Sequence, residues 1–139
     1  VAAPYGPVFD AELTRVAAAP PERRSLSECM LDYYEYRRDL DAAHHAVALR
    51  CIERVIQDEP ESATGWATLS LLLTEAFGFA YDSADATGTA TLDRAREAAR
   101  TAMDIDGENV FANLALARVQ FFSRGTDLEK AQHTGYYRY

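Results

Sequence analysis

The sequence predicts an all-α chain built as an α-solenoid of about three antiparallel helix hairpins. Three observations carry that prediction. One helix pattern occurs twice with the same spacing, as Ala48-x3-Ile52-x2-Val55-x4-Pro60 and as Ala95-x3-Ala99-x2-Ala102-x4-Gly107. Small or apolar residues three and four apart form one helix face, and the closing Pro or Gly stops the helix. Another apolar helix opens after each stop, at Ser62 and at Asn109. No segment shows sustained alternation of β-branched residues, so strands are not expected. Helix, stop, helix, repeated, is how stacked hairpins bury faces that none could bury alone.

Each element follows from local signals. Residues 1–24 hold four of the five prolines and read as an irregular lead-in with one short helix, Phe9 to Ala18. A first full helix runs from about Leu26 to Arg38, capped by Ser25 or Ser27. A second spans Asp41 to Asp58 and is stopped by Pro60, because the residue before a proline avoids the α region. A third follows the cap Ser62 and continues to Phe79. Tyr81 to Gly88, rich in Asp, Ser, Thr and Gly, is a loop. A fourth helix covers Thr91 to Asp104 and ends at Gly107. A fifth runs from Asn109 to Phe122 and stops at Arg124-Gly125. A sixth begins near Asp127 and dissolves into His133-Thr134-Gly135. The expected domain is therefore 25–132, with 1–24 as lead-in and 133–139 as tail.

Composition narrows function. The 139 residues carry 14 Lys+Arg against 22 Asp+Glu, a net charge of −8, which argues against a nucleic-acid surface. The longest apolar run, Leu69 to Leu73, is broken by Thr74 and Glu75 and is far short of the ~18 residues a membrane span needs, so no membrane insertion is expected. The chain opens on Val1 without a signal-peptide layout, and a piece of a longer protein is expected.

Cys29 and Cys51 lie equally far, 11 residues each, from a turn centred near Leu40. In an antiparallel hairpin both helices rise ~1.5 Å per residue, so the two sulfurs stand at the same height. Two outcomes are open: a disulfide stapling the helices, which implies an oxidising, extracytoplasmic compartment, or two buried thiols in a cytoplasmic core.

Chemistry-bearing sets are missing. His44 and His45 are adjacent and point about 100° apart, unlike the i, i+4 pair of zinc sites. Asp82-x2-Asp85-x2-Gly88 lacks the order of a calcium loop. Glu59 and Glu61 flank Pro60 with no histidine partner, and no serine sits in a nucleophile elbow. The Tyr33, Tyr34, Tyr36 cluster suits a core face and groove edge. No enzyme, cofactor or metal is expected.

Trp66-x2-Leu69-Ser70-x2-Leu73, followed by Ala95, Ala99, Ala102 and Gly107, resembles the tetratricopeptide repeat, whose motif is Trp-x2-Leu-Gly-x2-Tyr and then Ala-x3-Phe. Ser70 stands for the small residue, Leu73 for Tyr and Ala99 for the large aromatic. Pro60 and Gly107 are 47 residues apart against the usual 34, and the surplus falls in the loop after the third helix. Phrases such as Asn113-x-Ala115-Leu116-Ala117 are similar to divergent repeats of bacterial signalling proteins, behind a winged-helix or nucleotide-cyclase domain.

The resemblance implies right-handed superhelical stacking and a concave face lined by the first helix of each pair. Carried over through the Trp66 frame, that face comprises Thr64, Thr68, Leu71 and Glu75, then Phe111, Leu114, Arg118 and Phe122, with Tyr33, Tyr36 and Arg37 from the first helix. Such a groove suits a protein or peptide segment; the alternative is that Phe111 and Phe122 pack against a neighbouring repeat. The function expected is a non-catalytic interaction or regulatory module. The second reading is a small-molecule sensor with a pocket near the 81–88 loop. An array end without a polar capping helix exposes apolar surface, so either a homodimer through the C-terminal end or a folded-back Tyr136-Tyr137-Arg138-Tyr139 tail is expected.

Overall fold

The computed structural model describes Asp10 and residues 25–81 and 89–133, with side chains to residue 125. Among the described residues there are five α-helices and no strand: α1 Leu26–Asp39, α2 Ala42–Asp58, α3 Ala63–Phe79, α4 Thr89–Ile105 and α5 Val110–His133. The all-α expectation holds. The chain divides into two compact units, Val1–Glu61 and Ser62–Tyr139. The expected lead-in, apart from Asp10, and the tail beyond His133 lie outside the described residues.

In the first unit, α1 starts in a capping box. Ser25 Oγ accepts the Glu28 N–H at 3.3 Å, and Glu28 Oε1 accepts the Ser25 N–H at 3.0 Å, satisfying two amide donors that the helix start leaves unpaired. It ends at Leu40 in the left-handed region, φ 55°, whose N–H reaches the Tyr36 carbonyl at 2.7 Å. Asp41 then caps α2, accepting from the amides of Ala43 and His44 at 2.8 and 3.2 Å. The buried stripe Cys29, Tyr33, Tyr36 of α1 faces the buried stripe His45, Ala48, Ile52, Val55 of α2, each at helical spacing. Cys29 and Cys51 form a disulfide, with Cα atoms 5.5 Å apart, so of the two outcomes left open by the spacing the staple is the one formed.

The second unit places three helices side by side. Ser62 Oγ caps α3 through the Gly65 N–H at 3.0 Å, and Asn109 Oδ1 caps α5 through the Ala112 N–H at 2.9 Å. α3 ends at Ala80, φ 56°; the Tyr81 N–H bonds back to the Ala76 carbonyl and the Ala80 N–H to that of Phe77. This double closure normally has glycine at the left-handed position. From Ala63 to Ala76 nearly every residue of α3 is buried, as an apolar-all-round helix must be. The Ser70 hydroxyl donates to the Ala95 carbonyl of α4 at 2.7 Å, an approach that the small side chains of α4, Ala95, Ala98, Ala99 and Ala102, permit.

α3 and α5 run parallel. Asn109 Nδ2 donates to Thr64 Oγ1, Arg118 pairs with Glu75, and Phe122 lies over Gly78, so contacts climb both helices together. α4 runs against both, with Arg96 of α4 donating to Ser123 Oγ of α5 at 2.7 Å.

One boundary differs from expectation by more than two residues. The fifth and expected sixth helices are one continuous α5 through Arg124-Gly125, so among the described residues the expected third hairpin is absent. A lone glycine costs a helix about 1 kcal/mol relative to alanine, which does not end a helix whose next residues, Thr126 to His133, are all compatible with it. Pro60 stops α2 because a proline after it forbids continuation; no proline follows Gly125.

Candidate interaction face

The residues expected to line a binding face fall into two sets. In the first unit Tyr33 and Tyr36 are buried and Arg37 is half-buried. Tyr36 packs edge-on to His45, ring centroids 5.0 Å apart; these tyrosines belong to the hairpin core. In the second unit Thr68 and Leu71 are fully buried and Glu75 almost so, whereas Thr64, Phe111, Arg118 and Phe122 are half-buried and Leu114 is exposed. The surface a ligand can reach is therefore narrower than expected: Thr64, Phe111, Leu114, Arg118 and Phe122.

That surface has a polar upper part and an aromatic lower part. Thr64 is held by Asn109, and its carbonyl accepts the Thr68 hydroxyl at 2.8 Å. The Glu75 side chain, 4% exposed, has Arg118 Nη1 at 3.8 Å, and Arg118 remains 36% exposed. A buried carboxylate is tolerated when a cation neutralises it, and the guanidinium left partly in solvent keeps donors for an incoming carboxylate or carbonyl. Below it, Phe122 meets Phe77 and Phe121 in T-shaped pairs at 6.1 and 5.6 Å. Gly78 makes room for it, since a Cβ there would stand 3.0 Å from the Phe122 ring.

A polar cluster at the α1–α2 corner was not foreseen. Asp39 Oδ1 accepts the Asp41 N–H at 2.9 Å, and its Oδ2 lies 2.8 Å from His44 Nδ1. The Asp41 amide first and His44 second hold the Asp39 carboxyl below its ordinary value, and the bond to Asp39 lifts His44 above its own. Glu35 joins them, with ligand-type atoms of all three within 4.8 Å of one another. Glu35 is itself bonded to Arg38 at 3.1 Å, and Arg38 also reaches Asp10 at 3.5 Å. The signal in the sequence was the Glu35-x3-Asp39 spacing just before a turn, with His44 one helical turn beyond it. His44 finds its partner across the corner in Asp39 and not in its neighbour His45.

The other missed feature lies on α5. Val110 and Phe121 are exposed large apolar side chains that flank the expected Leu114, and Ala117 between them is exposed too. The 81–88 loop, where a small-molecule pocket was an alternative, lies outside the described residues apart from Tyr81. Among the described residues no helix is long and apolar enough to cross a membrane. The chain matches no protein-family model, no curated protein and no solved structure.

Proposed function

We propose that this chain is a non-catalytic protein-interaction module, a tetratricopeptide-like α-solenoid of antiparallel hairpins with right-handed superhelical stacking, serving a larger bacterial regulator. One observation carries the proposal. α3 and α5 begin 47 residues apart in equivalent caps, Ser62 to Gly65 and Asn109 to Ala112. They then lie side by side and parallel, with α4 antiparallel to both. A recurring cap on recurring parallel helices is what repeat stacking requires.

The binding surface of the module is the accessible remainder of the α3–α5 face, and its partner is a peptide segment. Phe111 and Phe122 offer apolar contact, and Arg118 offers a charged donor. An acidic or carbonyl-rich group flanked by apolar side chains fits that pairing, the Glu75 charge being already met by Arg118. The Cys29–Cys51 disulfide supports an oxidising, extracytoplasmic location over a cytoplasmic one.

Selection of peptides from a displayed random library against the immobilised chain tests this. Enriched peptides are expected to lose roughly tenfold or more in affinity on Arg118→Glu or Phe111→Asp. A library that yields no binders, or binders indifferent to both substitutions, would overturn the proposed face.

A further inference from the structure

The outer stripe of α5 is built to receive an antiparallel helix, and we infer that its occupant is the same stripe of a second copy of this chain. The starting point is the equivalence of α3 and α5. Shifted by the 47 residues that relate their caps, Val110, Leu114, Ala117 and Phe121 of α5 correspond to Ala63, Ala67, Ser70 and Thr74 of α3. The α3 residues are all buried, and Ser70 bonds directly to the α4 backbone. Ser70, in the middle of this stripe, thus meets the antiparallel α4. On α5 the same positions are open, Val110 at 78%, Phe121 at 75% and Leu114 at 44% exposure. Val110, Leu114 and Phe121 are larger and more apolar than Ala63, Ala67 and Thr74, and Ala117 replaces the hydroxyl of Ser70 with an apolar side chain of similar size. The α3–α4 interface, continued by one repeat, thus leaves room for a helix that α5 itself does not supply.

A second α5 fits that room in both directions. A two-fold contact requires that if residue i meets residue j, then j meets i. With two α5 helices antiparallel, one register sets Val110 against Phe121 and Leu114 against Ala117, and the same pairs recur with the copies exchanged. Large residues meet smaller ones at each level, and Ala117 near the middle lets the backbones approach. The same register carries exposed Arg124 of one copy past the N-terminus of the other's α5, toward the turn that bears exposed Asp106 and Glu108. Opposite charges therefore flank the apolar stripe at both ends, while positions 113 and 120 beside it are uncharged Asn and Gln. Charge pairs of this kind at a rim fix register more than they add affinity. The contact is small and each copy carries a net charge of −8, so the dimer is reversible and concentration-dependent.

The inference uses the outer stripe, which shares only Leu114 with the peptide face, and does not depend on that face. Sedimentation velocity and light scattering on the 139-residue chain, from about 1 µM to several hundred micromolar, test it. The expected result is a monomer–dimer equilibrium that Ala117→Arg weakens roughly tenfold or more. Circular dichroism and melting temperature, measured at about 1 µM where the monomer prevails, should stay as in the wild type, because position 117 is exposed and arginine is a good helix former. Glu108→Arg and Arg124→Glu should each weaken the dimer, and the double reversal should recover part of the loss, which only the stated register explains. A single monomer mass across the range, including one whose stripe is covered by its own chain, would overturn the inference. So would a dimer that Ala117→Arg leaves unchanged.

Discussion

Asp39 divides its carboxylate between a backbone amide and an imidazole, and this ties the end of α1 to the start of α2. The two partners titrate in opposite senses. His44 is raised above its ordinary 6.5 by Asp39, so its share of the clasp is present below pH 6.5 and is lost as pH rises through the folded value. Asp39 is depressed below its ordinary 3.8, so its share is present above that value and is lost as pH falls through the folded one. The corner is therefore tightest in weakly acidic solution. In an NMR titration the His44 ring should have its midpoint above 6.5, and Asp39→Asn should bring it down. An unchanged midpoint in Asp39→Asn would remove Asp39 as the cause. Neither residue could be paired from spacing alone, because the bond crosses a turn whose geometry depends on Leu40 taking a left-handed conformation that leucine rarely adopts.

Among the elements, α5 departs most from what its sequence announces. Gly125 would act as a C-terminal stop if it took a left-handed conformation, but it sits inside a continuous helix with nothing within 4 Å of where a Cβ would go. Gly125→Ala should therefore stabilise the protein, by about 0.5–1 kcal/mol, by removing backbone freedom from the unfolded chain without a clash. Urea unfolding checks this; a destabilised variant would mean that Gly125 ends the helix after all. The starts of the other helices were legible where a side chain bonds its own helix, at Ser25, Asp41, Ser62 and Asn109, whereas α4, expected from Thr91, begins at Thr89. Pro60 and Gly107 likewise punctuate the stops. Which face each helix buries was less legible. The run Ala67 to Leu73 is apolar or small at every position, so no periodicity separates the buried Leu71 from a groove position, and Thr68 and Glu75 look like surface residues until their partners are seen.

At the scale of the whole molecule, the covalent link matters most in the first unit, whose core is one hairpin. Cys29 and Cys51 are 22 residues apart, and closing a loop of that size is worth about 3 kcal/mol through the unfolded chain. Reduction, or the Cys29→Ser/Cys51→Ser pair, should lower stability by about that amount. Hydrogen exchange should show the loss first in the α1 and α2 amides, while Trp66, the single tryptophan and a resident of α3, reports the second unit. Equal stability with and without the disulfide would show that the hairpin is held by packing alone. This pairing was partly legible, since equal distance from the turn foretold equal height. The division into two compact units was not, because a recurring pattern that runs from Ala48 to Gly107 gives no hint of a boundary at Glu61–Ser62.

The same disulfide makes the stretch from Cys29 to Cys51 a closed covalent ring with the Leu40 corner at its outer edge. A protease that nicks the exposed Asp39-Leu40-Asp41 segment would open the main chain without separating the pieces. The nicked molecule would migrate as one species until a reductant is added, and new chain ends could be placed there while α1 stays bound to α2.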